Sequence, residues 1–148
     1  MEYGERLRNG AFCLDLQGEN KQDIIRELVD LLAADGQIGD RDAVLRAVME
    51  RERKMSTGMQ SGIAVPHGKT DSVNELAVAF GIKRDGVDFD SLDGEPARIF
   101  VMTVSPVTQT GPHVRYLAEV SKFLNSPDVR QRLLAAGSVD EILDILSE

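Results

Sequence analysis

Gly62-Ile63-Ala64-Val65-Pro66-His67-Gly68-Lys69 is the stretch on which the reading of the fold turns. Its apolar run Ile63-Ala64-Val65 is too short for a helix, and Pro66 and Gly68 rule one out, since proline lacks a backbone donor and glycine loosens the chain. The run reads as a buried strand leaving a sheet, with His67 at its exit. Upstream, Gly58 carries the non-helical texture back to Met55. Before that, Asp40 or Asp42 opens a helix with Ala43, Val44, Ala47 and Val48 on one side, running into the charged stretch Glu50 to Lys54. An earlier helix is capped by Asn20, repeats Ile24, Ile25, Leu28, Leu31 and Leu32 on one face, and stops at Asp35-Gly36. Phe12 to Leu16 is a short β-leaning run ended by Gly18.

Downstream, Leu76 to Ile82 and Arg98 to Val104 read as strands, with Val87, Phe89 and Leu92 in an irregular hairpin or edge between them and Pro106 ending the second. Val114, Leu117, Val120 and Leu124 mark a third helix. Ser126-Pro127 caps and begins a fourth, and Ser138-Val139-Asp140-Glu141 is a capping box for a fifth with Ile142, Leu143 and Leu146 inward. Strands in the middle and helices at both ends predict a layered α/β/α sandwich with a mixed sheet. The order is β-α-α-β-β-β-α-α-α, with room for a fourth central strand, in a single domain over residues 1–148.

Seventeen basic against 25 acidic residues give a net charge of −8, which argues against non-specific nucleic-acid binding and suits a basic protein partner. The one cysteine, Cys13, cannot form an intramolecular disulfide, and it reads as a cytosolic thiol. No apolar run approaches the roughly 18 to 20 residues of a membrane span. The polar, mixed-charge start Met1 to Gly10 lacks a signal-peptide pattern. A cytoplasmic protein without direct membrane insertion is expected.

The chain has two histidines, His67 and His113, each beside an element boundary, a placement that favours exposure. A neutral imidazole has a free lone pair that can attack phosphorus, provided that its other nitrogen is fixed by a hydrogen bond and the phosphoryl oxygens meet positive charge. Arg51, Lys69 and the hydroxyls of Ser56 and Thr57 are candidates for those tasks. On spacing alone the plainer readings carry more weight: His67 as a solvated turn residue, Arg51 on a wet helix face, His113 helping to start a helix after Pro112. Two histidines without a second ligand pair are too few for a metal site, and Asp88, Asp90 and Asp93 lack the calcium-loop pattern and read as turn formers. Neither a dinucleotide or Walker motif nor a Gly-x-Ser-x-Gly elbow occurs.

The stretch from Arg51 through Ser56-Thr57-Gly58 to Gly62-Ile63-Ala64-Val65-Pro66-His67-Gly68-Lys69 resembles the phosphorylation-site signature of the enzyme IIA domains of the bacterial phosphotransferase system, in its fructose, mannitol and nitrogen-regulatory branches. The likeness extends to Asp93-Gly94-Glu95-Pro96 before Ile99 to Val104, and to His113 ahead of Leu117. What the resemblance implies is a phosphocarrier that takes a phosphoryl group on His67 from the phosphohistidine of the carrier HPr or a nitrogen-branch relative. It would pass the group to a IIB partner, or keep it as a signal that controls a target protein. It also implies that Arg51 stabilises the phosphoryl group, that His113 braces the ring of His67, and that Thr57 and Lys69 assist binding. No metal, nucleotide or organic cofactor is implied, because transfer between two histidines needs alignment, dryness and charge. One departure is visible: Gln60 stands where these domains usually carry glycine, which bears on the turn before Ile63.

Overall fold

The computed structural model describes residues 9–147, so Met1 to Arg8 of the polar N-terminus lie outside the described residues. The chain runs β1 (Ala11–Cys13), α1 (Lys21–Ala34), α2 (Arg41–Lys54), β2 (Ile63–Ala64), β3 (His67–Lys69), β4 (Ala77–Val87) and β5 (Ala97–Ser105). A short 3-10 turn at Val107–Gln109 leads into α3 (Thr110–Leu124), α4 (Pro127–Ala135) and α5 (Val139–Leu146). The caps fall where the residues place them: Asn20, Asp40, Ser126 and Ser138 each accept a hydrogen bond from a backbone N–H three residues on. The box at α5 closes one residue early, since the Glu141 carboxylate accepts from the Gly137 N–H at 3.0 Å.

The sheet is mixed. β1 runs parallel to β4, β4 is antiparallel to β5, and β2 and β3 both lie parallel along the far edge of β5. Four central strands therefore replace the three of the simplest expectation, and Val65 and Pro66 are the reason. Pro66 has no N–H to give to a ladder, and the Val65 N–H turns aside to the Thr57 carbonyl at 3.1 Å. What would be one strand becomes two, with a break placed immediately before His67.

Alternation along β4 and β5 divides the core into two layers. Ala77, Ala79, Phe100, Met102 and Val104 face α1 and α2, where Ile24, Ile25, Leu28, Val29, Leu32, Val44 and Val48 are buried. Val78, Phe80, Ile82, Ile99 and Val101 face α3 to α5 and meet Val120, Leu124, Leu133, Ile142 and Ile145. Two expectations shift in phase. α3 buries His113, Tyr116, Val120 and Leu124, while Val114 is 57% exposed. Leu92 is also exposed, whereas Val87 and Phe89 of the same irregular segment are buried.

Two backbone details position the region around His67. A Cβ on Gly68 would lie 3.0 Å from the Val48 nitrogen and 3.1 Å from the Ala47 carbonyl carbon, so glycine is what lets α2 lie directly across β3. In the turn before β2 the left-handed residues are Ser61 (φ 65°) and Gly62 (φ 79°). Gln60 is exposed and outside that region, so a side chain is admitted there without strain, and the departure at this position leaves the turn intact.

Candidate active site

His67 opens β3 in register with Thr103 of β5, which places the two side chains on the sheet face that carries α3. The ring is half-buried, and its Nδ1 lies 2.8 Å from the Val65 carbonyl oxygen. A carbonyl can only accept, so Nδ1 carries the proton and Nε2 keeps its lone pair. Burial lowers the pKa of the imidazole below 6.5; the Val65 carbonyl pulls in the opposite direction, and the charges of Arg51 and Lys69 lower it further. The ring is neutral at pH 7 and presents a nucleophilic nitrogen in a fixed tautomer.

Around it lies an open cavity of about 320 Å³ lined by Ala47, Glu50, Arg51, Lys54, His67, Gly68 and Lys69. Arg51 stands one helical turn beyond the point where α2 crosses Gly68, and its guanidinium donates to the Met55 carbonyl at 2.8 Å. Three cations thus gather at His67 against one carboxylate in the lining, Glu50, so the cavity carries a local excess of positive charge on a chain of net charge −8. The acidic residues that dominate the chain's net charge therefore lie mostly away from this rim.

His113 is buried, with 2% of its surface exposed, and its ring meets that of His67 edge-on, with centroids 5.7 Å apart and planes at 89°. The exposure expected of it is corrected by the roll of α3, which turns His113 rather than Val114 toward the sheet. Burial there is tolerated because both ring nitrogens have partners: Nε2 lies 2.8 Å from Thr103 Oγ1 and Nδ1 lies 2.8 Å from Ser105 Oγ. Burial, with the charges of His67 and Lys69, lowers its pKa from 6.5 to about 4. Between those two values the unfolded chain holds a proton that the folded protein lacks, so this group's contribution to stability falls as pH drops from 6.5 toward 4 and is complete above 6.5. Denaturant titrations at pH 7 and 4.5 should therefore show wild type losing more stability on acidification than His113→Gln; equal losses would contradict the assignment.

Thr57 departs from the role that the resemblance implies. It is buried, and its hydroxyl and N–H both donate to the carboxylate of Glu52, at 2.9 and 3.0 Å, so its proton is not available to an incoming oxyanion. The carboxylate also pairs with Lys21 Nζ at 3.4 Å, and Lys21 reaches on to Asp90 at 3.2 Å. Ser56 similarly gives its hydroxyl proton to the Phe89 carbonyl at 2.6 Å. The aspartates read as turn formers behave as such: Asp88 and Asp93 accept from the N–H groups of Asp90 and Glu95.

Glu52, Thr103 and Ser105 are the site residues that sequence reasoning passed over. Glu52 was hidden in a charged run, where an acid reads as solvated. Thr103 and Ser105 did leave a signal, because they continue the odd-numbered alternation of Ile99 and Val101 with hydroxyls at the end of the strand nearest His113.

Over residues 6–148 the sequence matches the family described as "Phosphoenolpyruvate-dependent sugar phosphotransferase system, EIIA 2". The chain belongs to this IIA family of phosphocarrier domains. A fructose-specific EIIA component of Haloferax volcanii is 40% identical over 128 residues, covering 86% of this chain and 83% of that protein. A fructose-specific EIIABC component of Bacillus subtilis is 38% identical over the whole chain, which spans only 23% of that protein's length. Among solved structures, the IIA-Ntr protein of Neisseria meningitidis superposes with a TM-score of 0.90 at 28% identity, covering 99% of both chains. The IIA mannitol structure of Escherichia coli gives 0.81 at 26% identity, covering 92% of this chain and 95% of that one. Fold and family thus agree with the layered IIA architecture expected from the sequence. No helix among the described residues is long and apolar enough to cross a membrane.

Proposed function

We propose that the chain acts as a single cytoplasmic IIA unit that accepts a phosphoryl group on Nε2 of His67 from the phosphohistidine of an HPr-like carrier and passes it to a IIB partner. The observation that carries this reading is the Val65 carbonyl on Nδ1, which leaves Nε2 as the free nucleophile beside Arg51, Lys54 and Lys69. As the lone pair of Nε2 forms its bond to phosphorus, the bond to the donor histidine breaks and its electron pair leaves with the donor ring. The His67 ring becomes cationic with its proton still on Nδ1, and the hydrogen bond to Val65 strengthens as that charge develops. Arg51 and Lys69 offset the charge on the phosphoryl oxygens, and His113 supports the ring from the side. Alignment and charge suffice for this step, so no cofactor is assigned.

The test is incubation with phosphoenolpyruvate, the upstream kinase enzyme and purified HPr. A mass gain of one phosphate, labile in acid and stable in base, is expected; a protein that stays unmodified, or carries an acid-stable phosphate, would overturn the reading. A second reading is favoured by the close superposition on the IIA-Ntr protein of Neisseria meningitidis: a regulatory IIA whose phosphorylation state controls a target protein, with no sugar involved. Onward transfer separates the two. Loss of the phosphate to a fructose-type IIB supports transport, and retention of it supports regulation.

A further inference from the structure

Both nitrogens of His113 are engaged within the fold, so the ring has no free N–H or lone pair to offer an arriving phosphoryl group. Its influence on His67 must pass through ring contact, and whatever sets its orientation and tautomer becomes part of the site. Two hydroxyls do this. Ser105 Oγ donates to the Pro106 carbonyl at 3.4 Å, and a hydroxyl has only one proton, so Ser105 accepts from Nδ1–H of His113. The other nitrogen, Nε2, then takes the proton of Thr103. Ser105 and Thr103 are both buried, and Thr103 is the register partner of His67 across the β3–β5 ladder, so the residue that holds one ring lies beside the other.

From this geometry we infer that Thr103 and Ser105 are positioning residues for phosphoryl transfer: together they lock His113 as the Nδ1–H tautomer, with its ring set edge-on against that of His67. The inference rests on His67 being the acceptor, and it assigns no contact between either hydroxyl and the phosphate. A locked ring keeps Nε2 of His67 aimed into the cavity between Arg51 and Lys69. If the ring of His113 were free to flip, the aim of His67 would be held by Val65 alone.

Nitrogen-15 NMR of the unphosphorylated protein at pH 7 reads the tautomer directly: the expected result is Nδ1–H alone on His113, and a mixture or the Nε2–H form would overturn the inference. Thr103→Val removes the one donor to Nε2. With Nε2 left unpaired, it should shift the His113 Nε2 resonance and slow phosphate uptake about tenfold, the equivalent of one lost hydrogen bond, with the KM for the phosphorylated carrier unchanged. Thr103→Ser should restore both the spectrum and the rate. A Thr103→Val protein that transfers phosphate at the wild-type rate would refute the assignment, as would one whose KM alone rises. Should that variant not fold, Ser105→Ala carries the same test from the opposite nitrogen. Failure of wild type to take up phosphate would overturn the reading of His67, whereas the tautomer measurement needs no phosphate and tests the hydroxyls separately.

Discussion

His67→Ala is expected to take up no phosphate from a carrier chain that fully charges the wild-type protein. The only other imidazole, His113, is 2% exposed and has both nitrogens occupied, so it cannot substitute as the acceptor. The loss should be chemical rather than structural. His67 is half-buried at the start of an edge strand, and its removal frees one carbonyl, that of Val65, beside an open cavity that water can fill. The thermal midpoint of the variant should therefore stay near that of wild type while the acid-labile phosphate disappears. Phosphate retained by the folded variant would show that another residue is the acceptor. Arg51→Ala provides the graded contrast. Removing one of three cations should slow uptake by about a hundredfold or less without abolishing it, since Lys54 and Lys69 still face the cavity.

The second large effect is expected at a residue that touches no phosphate. Glu52→Ala should lower stability by about 3 kcal/mol, measured as a shift in urea midpoint at constant slope. The carboxylate is buried and accepts from both the N–H and the hydroxyl of Thr57, and it is the inner partner of Lys21, whose side chain is only 13% exposed. Truncation leaves two buried donors unpaired and a half-buried ammonium whose one remaining carboxylate is the exposed Asp90, with Ser56 Oγ at 3.5 Å and the Phe89 ring as its other neighbours. The damage also has a path to the chemistry. Thr57 holds Val65 through its carbonyl at 3.1 Å, and Val65 holds Nδ1 of His67 at 2.8 Å, so loosening Thr57 loosens the tautomer lock two steps away. Phosphate uptake should fall as well, under conditions where the variant is still folded. Glu52→Gln, which keeps an acceptor oxygen but not the charge, should lose about 1 kcal/mol. A Glu52→Ala protein within about 0.5 kcal/mol of wild type would show that the network holds little.

Much of this was legible beforehand because it is local chemistry. Asn20, Asp40, Ser126 and Ser138 cap their helices through their own side chains, and Pro66 and Gly68 exclude a helix by covalent geometry alone. The phase of α3 was misread because its inward face begins with a histidine. Apolar periodicity counts Val114 as inward and has no means to credit His113, whose burial depends on hydroxyls from a strand eight and ten residues away. The bond from Thr57 to Glu52 was hidden for a similar reason, since a hydroxyl near a site in sequence is indistinguishable from one already committed to a buried carboxylate.

By itself, then, the order of residues determined most of the elements, their caps and the exclusion of a helix around Pro66 and Gly68, because each of these depends on neighbours within about one turn of chain. The tertiary structure alone decided which groups surround His67. Gly68 admits α2 to within contact of β3 and so brings Arg51 to the rim; β5 delivers Thr103 and Ser105 to His113; and Glu52 turns inward to hold Thr57. Those are contacts between segments distant along the chain, and only the packing of two helical layers on one mixed sheet selects them.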